Sequence, residues 1–403
     1  MVVANFLYII EKFNDPLFTS STDSTSTIIP PPIPNARQRP AQDHLVSVNR
    51  IEKYCGGRKT APIIQCLRYL QENETDYILP YYSIHASSRP PICSRDYPPM
   101  LFHVFWRGPI SDKLALMMKS FLFSQPLECS TLYVWLDSNN YTDPRKSSHL
   151  RLLQRFIPIH IKFKFWNTRE QLSSIKLFAD WKNIYHRRAP VSFSDMVRFV
   201  VLYKYGGIYI DADVLLLRDM RPLYYANFEF SYRWSFTSQY NTAVLRLRRH
   251  SPTSKRIISQ ATRNKMNFHP LRIRKYLKTN KNYKTKEINK QLYMLPVGLF
   301  DPLWLKNDGK QIGHALIPNL TQIHDFFNPK FVLGELKSNN YTESPLDVRK
   351  VEGFFPGAFA YHWHNNWNVP IHPNSWAGVL QTAYDEFLMG LRRNLYNEYV
   401  VVS

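Results

Sequence analysis

Between Leu101 and Leu217 the chain alternates short apolar runs with amphipathic stretches. "LFHVFW", Leu101 to Trp106, reads as a buried strand. "SDKLALMMKSFLF" follows, with Ser111 as a helix N-cap and apolar residues at helical spacing. "TLYVWLD" predicts a second strand ending in Asp137, "SSHLRLLQRFI" a helix, and "HIKFKFW" a third strand. "SFSDMVRFVVLYKY", Ser192 to Tyr205, predicts a helix capped by Ser192 or Ser194, with Met196, Phe199, Val200 and Tyr203 on one face. Gly206 and Gly207 end it, because glycine accepts the left-handed backbone of a helix C-terminus. "IYIDADVLLL" is then a strand interrupted by two acids. Strands alternating with helices imply an α/β fold: a mostly parallel central sheet with helices on both faces. Such sheets bind ligands beyond the carboxyl ends of their strands.

The flanks are less regular. Beyond Thr242 the pattern predicts a helix near 253–262, a strand and turn in "LPVGLFDPLWL", and a last aromatic stretch, "FFPGAFAYHWHNNWN". Residues 1–42 hold "TSSTDSTSTIIPPPIPNARQRP", a Ser/Thr/Pro-rich stem that cannot build a core. Residues 43–99 read as an N-terminal extension, and 100–403 as the main domain with a basic insertion near 246–290. "VVANFLYII", Val2 to Ile10, falls short of the ~20 apolar residues a membrane-crossing helix needs. A degraded signal, a piece of an anchor and an ordinary first element all stay open for it.

Charge adds a second feature. The formal net charge is +21, and Arg246 to Lys290 holds 15 Lys/Arg against one acid, Glu287. Such a block is a solvated face or a landing surface for something anionic, such as a membrane surface or a phosphorylated acceptor. Charge alone also admits a nucleic-acid binder, whose affinity would fall steeply with salt. Cys55, Cys66, Cys93 and Cys129 form no C-x-x-C pair, so zinc has no support; a Cys55–Cys66 bridge and buried thiols are both open. Sequons at Asn73, Asn140, Asn319 and Asn340 point to the secretory pathway.

The chemistry concentrates in "YGGIYIDADVLLL", where Asp211 and Asp213 interrupt a run that otherwise wants burial. In an extended chain residues i and i+2 share a face. Two carboxylates about 5 Å apart, at an effective dielectric near 20, repel by roughly 3 kcal/mol. A divalent cation offsets that, and Mg²⁺ or Mn²⁺ prefers such oxygen ligands with phosphates completing the shell. Asp195 and Arg198, at i and i+3 on the preceding helix, together accept from and donate to vicinal hydroxyls.

"SDMVRFVVLYKYGGIYIDADVLLL" resembles the signature of the DxD-region sugar transferases, glycosyltransferase family 32. Its relatives include α-1,6-mannosyltransferases, inositol-phosphorylceramide mannosyltransferases and α-1,4-glycosyltransferases. The resemblance implies a GT-A type fold and a hexosyltransferase using Mn²⁺ or Mg²⁺ and a GDP- or UDP-sugar. It implies a glycan or glycolipid acceptor, glycosphingolipid among them, retention at the anomeric carbon, and a Golgi lumen location. By position, Asp213 would bind the metal, and Asp211 the metal or the ribose. Asp195 and Arg198 would hold donor hydroxyls. Trp106, in "HVFWRG", would stack on or border the base, and Asn241, in "YNTAVLRLRRHSP", would approach sugar or acceptor. His362, in "AYHWHNNWN", aligns best as a third metal ligand, with His364 second. "VGLFDP" replaces the Gly-Pro element expected before the C-terminal region, so acceptor specificity does not carry over. A catalytically silent glycan-binding or scaffolding relative is the rival reading, and the intact Asp211/Asp213 and Asp195/Arg198 pairs argue against it.

Overall fold

The computed structural model describes residues 98–137, 143–173, 175, 190–225, 228–234, 237–278, 291–304, 323–329, 354–355, 358–395 and 400. The expected stem, nearly all of the extension, the four sequons, and positions 279–290 of the basic block lie outside them.

A seven-stranded sheet runs in the order β3-β2-β1-β4-β7-β6-β8. Its strands are β1 (Met100–Trp106), β2 (Ser130–Asp137), β3 (Ile161–Trp166), β4 (Gly207–Ile210), β6 (Phe230–Arg233), β7 (Tyr240–Leu247) and β8 (Tyr293–Leu295). β1 pairs in parallel with β2 and β4, β2 with β3, and β6 with β8; only β7 runs antiparallel, to β4 and β6. β5 (Val214–Leu216) leaves this sheet and pairs antiparallel with β9 (Ala360–His362).

Strand alternation sorts the core into two faces. On β1, Phe102 and Val104 point to one side, with Leu132, Val134, Ile208, Ile210 and Val244. His103 and Phe105 point to the other, where Phe105 joins Trp135, Tyr209 and Leu245. The first face is covered by helices α1 (Asp112–Ser124) and α5 (Trp376–Leu388), tied by Lys119 to Asp385 at 2.6 Å. The second is covered by α2 (Pro190–Tyr205), α3 (Pro252–Arg263) and α4 (Pro270–Leu277). Each fully buried large apolar side chain contributes roughly 1.5–3 kcal/mol. Ser111 caps α1 by accepting from the Leu114 N–H at 3.2 Å, as its position predicts.

Three local expectations change. Ser148–Phe156 is a 3-10 helix, not an α-helix. Its buried residues Leu150, Leu153 and Phe156 fall every third position, the period at which 3-10 side chains align. α2 begins at Pro190, so Ser192 and Ser194 lie inside it and cap nothing. Proline fits that first turn, where its missing N–H has no partner to lose. The third change concerns the acidic pair. β4 stops at Ile210, and residues 211–213 form a turn closed by the Val214 N–H on the Asp211 carbonyl at 3.1 Å. The two carboxylates therefore do not share one extended strand face.

Gly206 and Gly207 set the entry to that turn. Gly206 has φ +70 and terminates α2; Gly207 has φ +105, and a Cβ there would lie 2.3 Å from the Leu101 carbonyl oxygen. Only a residue without a side chain lets β4 lie against β1 at this point.

Candidate active site

The carboxyl ends of β1, β4 and β6 and the amino end of β7 meet at one edge of the sheet. There the Asp211 N–H donates to the Ala243 carbonyl at 2.8 Å, continuing the β4–β7 ladder into the acidic turn. Three expected residues, Asp195, Arg198 and Asp211, converge on this corner. Arg198 Nη2 reaches Asp211 Oδ1 at 2.9 Å and Asp195 Oδ1 at 3.3 Å, and its Nη1 donates to Thr242 Oγ1 at 2.7 Å. Asp195 and Arg198 are 3% and 4% exposed, which excludes an ordinary surface ion pair. The Arg198 guanidinium lies 5.1 Å from the centre of the Tyr209 ring, and its Nε is buried with no partner among the described residues.

Electrostatics divides the acids. Burial pushes the Asp195 carboxyl up to about 6, against the pull of Arg198 and with help from Asp211. Arg198 stays charged despite its own burial, because Asp211 and Asp195 outweigh the loss of water. Burial also raises Asp211; Arg198 opposes the rise and Asp213 adds to it. For Asp213 burial pushes up, but His362, the Asn365 N–H and His364 win, and it falls to about 2.

Asp213 thus faces a different set of groups from Asp211. Antiparallel pairing of β5 with β9 sets His362 opposite Val214, although almost 150 positions separate them in sequence. His362 Nε2 is 3.2 Å from Asp213 Oδ2, which also accepts from the Asn365 N–H at 2.8 Å. Burial lowers the His362 pKa, but Asp213, Asp301 and Asp211 together lift it to about 9. Its Nδ1 lies 3.1 Å from the Tyr232 hydroxyl and 3.7 Å from Asp301 Oδ2. His364 stacks on His362 with ring centroids 3.8 Å apart, and its Nε2 bonds Asp301 Oδ2 at 2.7 Å. Asp301, His362 and His364 offer ligand atoms within 4.8 Å of one another, and the buried Asp301 Oδ1 has no partner among the described residues. Two imidazoles beside carboxylates, with an orphaned buried carboxylate oxygen, form a donor set that fits a divalent cation.

The expected metal set of Asp213, Asp211 and His362 is therefore brought together only in part. Asp213 and His362 meet directly, whereas Asp211 turns to Arg198. Trp106 ends β1 next to this corner, its ring 4.8 Å from Trp367 and its indole N–H on the Pro109 carbonyl at 2.8 Å. Asn241 opens β7, where its Oδ1 accepts from the Ala243 N–H at 3.0 Å and steadies the strand end that carries Thr242. The loop after β9 turns through left-handed His364 (φ 49) and Asn365 (φ 60). The buried Lys113 at the start of α1 holds it, donating to the carbonyls of Asn366, Trp367 and Val369.

Sequence reasoning missed Asp301, Tyr232 and Thr242. Asp301 carried the same signal as the acidic pair, a carboxylate inside an apolar run, "GLFDPLW". Tyr232 and Thr242 gave none, because both look like ordinary strand residues.

The buried arginine clamp, two imidazoles and four acids thus gather at the carboxyl edge of the sheet, where open α/β sheets bind their ligands. Residues 131–229 match the family described as "Glycosyltransferase sugar-binding region containing DXD motif". The matched stretch runs from β2 through α2 and the acidic turn to the residue before β6, and the mostly parallel sheet with helices on both faces is the α/β architecture that the sequence implied. Solved structures it is similar to include PaToxG glycosyltransferase, at 17% identity and TM-score 0.36, over 49% of this chain and 75% of that one. The galactosyltransferase LgtC, solved in complex with donor and acceptor sugar analogs, is 14% identical, with TM-score 0.35, over 71% of this chain and 95% of that one. GlyE of Streptococcus pneumoniae TIGR4 is 14% identical, with TM-score 0.34, over 72% of this chain and 64% of that one. No curated protein matches the chain.

Proposed function

We propose that this protein is a glycosyltransferase that moves a hexose from GDP-mannose or a UDP-sugar to a glycan or glycolipid acceptor, with retention and with Mn²⁺ or Mg²⁺. The observation that carries the reading is the pair of adjoining clusters at one sheet edge: Asp195–Arg198–Asp211 and Asp213–His362–Asp301–His364. In the first, Asp195 accepts from and Arg198 donates to the donor sugar's hydroxyls, with the free Arg198 Nε as the unfilled donor. In the second, Asp213, His362, Asp301 and His364 hold the metal. When bound, that metal supplies Lewis-acid stabilisation of the leaving diphosphate. Asp211 is held by Arg198 and orients the ribose side of the nucleotide. Trp106, beside Trp367, offers an aromatic border for the base.

Location in the secretory pathway, with the Golgi lumen as the compartment, belongs to the same proposal. Its support is Cys129, which is oxidised in a disulfide, a state suited to an oxidising compartment. Contact with a membrane surface through 246–290 and the absence of a nucleic-acid partner are likewise proposed. In the described part of that block, Arg246, Arg256 and Arg274 already donate to backbone carbonyls, so part of its charge serves the fold.

A thermal-shift screen of UDP and GDP, each with Mn²⁺, tests the donor reading, since a ligand that binds only the native state raises its melting point. One nucleotide should stabilise selectively and do so only with the metal. The matching nucleotide sugar should be slowly hydrolysed, and Asp213→Asn should cut that rate by orders of magnitude with the fold intact. No response to either nucleotide, or full hydrolysis by Asp213→Asn, would overturn it.

A further inference from the structure

A cavity of about 670 Å³ opens beside α2, lined by Ser192, Asn264, Lys265, Asn267, His269 and Arg272 together with the half-exposed Leu271. Ser192 sits one helical turn before Asp195. Burial lowers the His269 pKa, and the charges of Arg272 and Arg198 lower it further. None of Asp211, Asp213 or His362 lines it, and its described lining holds no carboxylate. Lys265 and Arg272 make no ion pair among the described residues.

The wall is a turn anchored on α2. Lys265 (φ 52) and Met266 (φ 59) are both left-handed, a conformation that costs a non-glycine residue energy and persists only where the surroundings enforce it. Here Met266 is buried, and the buried Phe268 stacks on Phe199, the residue after Arg198, at 5.7 Å. The turn therefore packs against the helix that carries the clamp and presents the exposed Lys265 to the cavity. Asn264 and Asn267 are pinned as well: Asn264 donates to the Tyr276 hydroxyl at 2.7 Å, and Asn267 Oδ1 accepts from the His269 N–H at 3.1 Å.

We propose that this cavity is an acceptor subsite that receives an anionic group, a phosphate or a carboxylate, carried by the acceptor sugar. The assignment rests on the donor reading above. The donor's diphosphate belongs with the metal-binding cluster, which does not line the cavity. An anionic donor sugar is disfavoured at the clamp, because Asp195 and Asp211 occupy it. The acceptor is then the reactant left to bring negative charge to Lys265, Arg272 and His269. A cavity of this volume falls in the usual range for small-molecule sites.

The test is calorimetric titration of the full chain, in chelator and without nucleotide, with glucose 6-phosphate, glucuronate and methyl glucoside. At least one anionic sugar should bind tenfold or more tightly than methyl glucoside. Lys265→Ala/Arg272→Ala should weaken that binding at least tenfold, and Lys265→Arg/Arg272→Lys should restore most of it. The stronger of the two anionic ligands identifies the acceptor anion as phosphate or carboxylate. Equal binding of methyl glucoside, or undiminished binding by the double alanine variant with an unchanged melting point, would overturn the proposal. Lack of stabilisation by UDP or GDP with Mn²⁺ is a separate measurement that refutes the donor reading and leaves this titration standing.

Discussion

Replacing Arg198 by methionine removes the cation that bridges the buried Asp195 and the partly exposed Asp211 while keeping much of the side chain's volume. Its contacts with Asp211 and Asp195 are 2.9 and 3.3 Å long. At an effective dielectric near 20 each corresponds to about 5–6 kcal/mol of Coulombic attraction. Desolvation of all three groups consumes most of that sum. Removing the cation alone leaves Asp195 buried and uncompensated, for a net loss of about 3–5 kcal/mol. At roughly 2–4 °C per kcal/mol for a domain of this size, the melting temperature should fall by about 10 °C at pH 7.5. The loss should shrink in acid. Asp195 titrates near 6 in the fold because of burial, above its unfolded value of 3.8. A carboxylate raised in the fold penalises stability above its folded pKa, and the penalty is relieved as pH falls toward the unfolded value. Without Arg198 the folded value climbs further, so the gap between variant and wild type should narrow between pH 7.5 and 5. Asp195→Asn/Arg198→Met should be more stable than Arg198→Met alone. Melting curves by differential scanning fluorimetry across this pH range measure all three. A fall under 2 °C at pH 7.5, or a gap that does not change with pH, would refute the buried-clamp argument.

Three further outcomes follow from the geometry. His103 is buried, with Nε2 donating to the Gly206 carbonyl at 2.9 Å and Nδ1 accepting from the Trp135 indole at 3.2 Å, and burial holds its pKa at about 4. Its neutral form should contribute about 3 kcal/mol of stability that is complete above pH 6.5 and lost as pH falls toward 4. Urea unfolding at pH 7.5 and 4.5 should show a steeper loss in wild type than in His103→Gln, and parallel losses would contradict the assignment. Gly207→Ala places a Cβ 2.3 Å from the Leu101 carbonyl, whereas Gly108→Ala, at a similar φ of +113, meets nothing within 4 Å. Both carry the backbone cost of about 1–3 kcal/mol, so an additional drop in melting temperature for Gly207→Ala isolates the strand clash. Asp301→Asn should weaken Mn²⁺ binding roughly 10–100-fold, read by the paramagnetic signal of free Mn²⁺, and unchanged affinity would remove Asp301 from the metal-binding set.

The sequence by itself determined the succession of strands and helices, the glycine stop after α2 and the place of the acidic pair. These are local properties: period, capping and turn chemistry act over a few residues and leave marks at fixed spacing. It also pointed to Asp195, Arg198 and His362, through helical spacing and through the family signature. It misjudged the backbone at Asp211–Asp213, because an apolar run looks continuous whether or not the chain turns and changes sheet within it. Only the tertiary structure decided that Arg198, and not a metal alone, compensates Asp211. Only the β5–β9 pairing decided that His362, His364 and Asp301 meet Asp213. Those contacts join positions far apart in sequence, and pairing between strands at such separation is set by how two faces of a sheet fill with side chains, which no local pattern records.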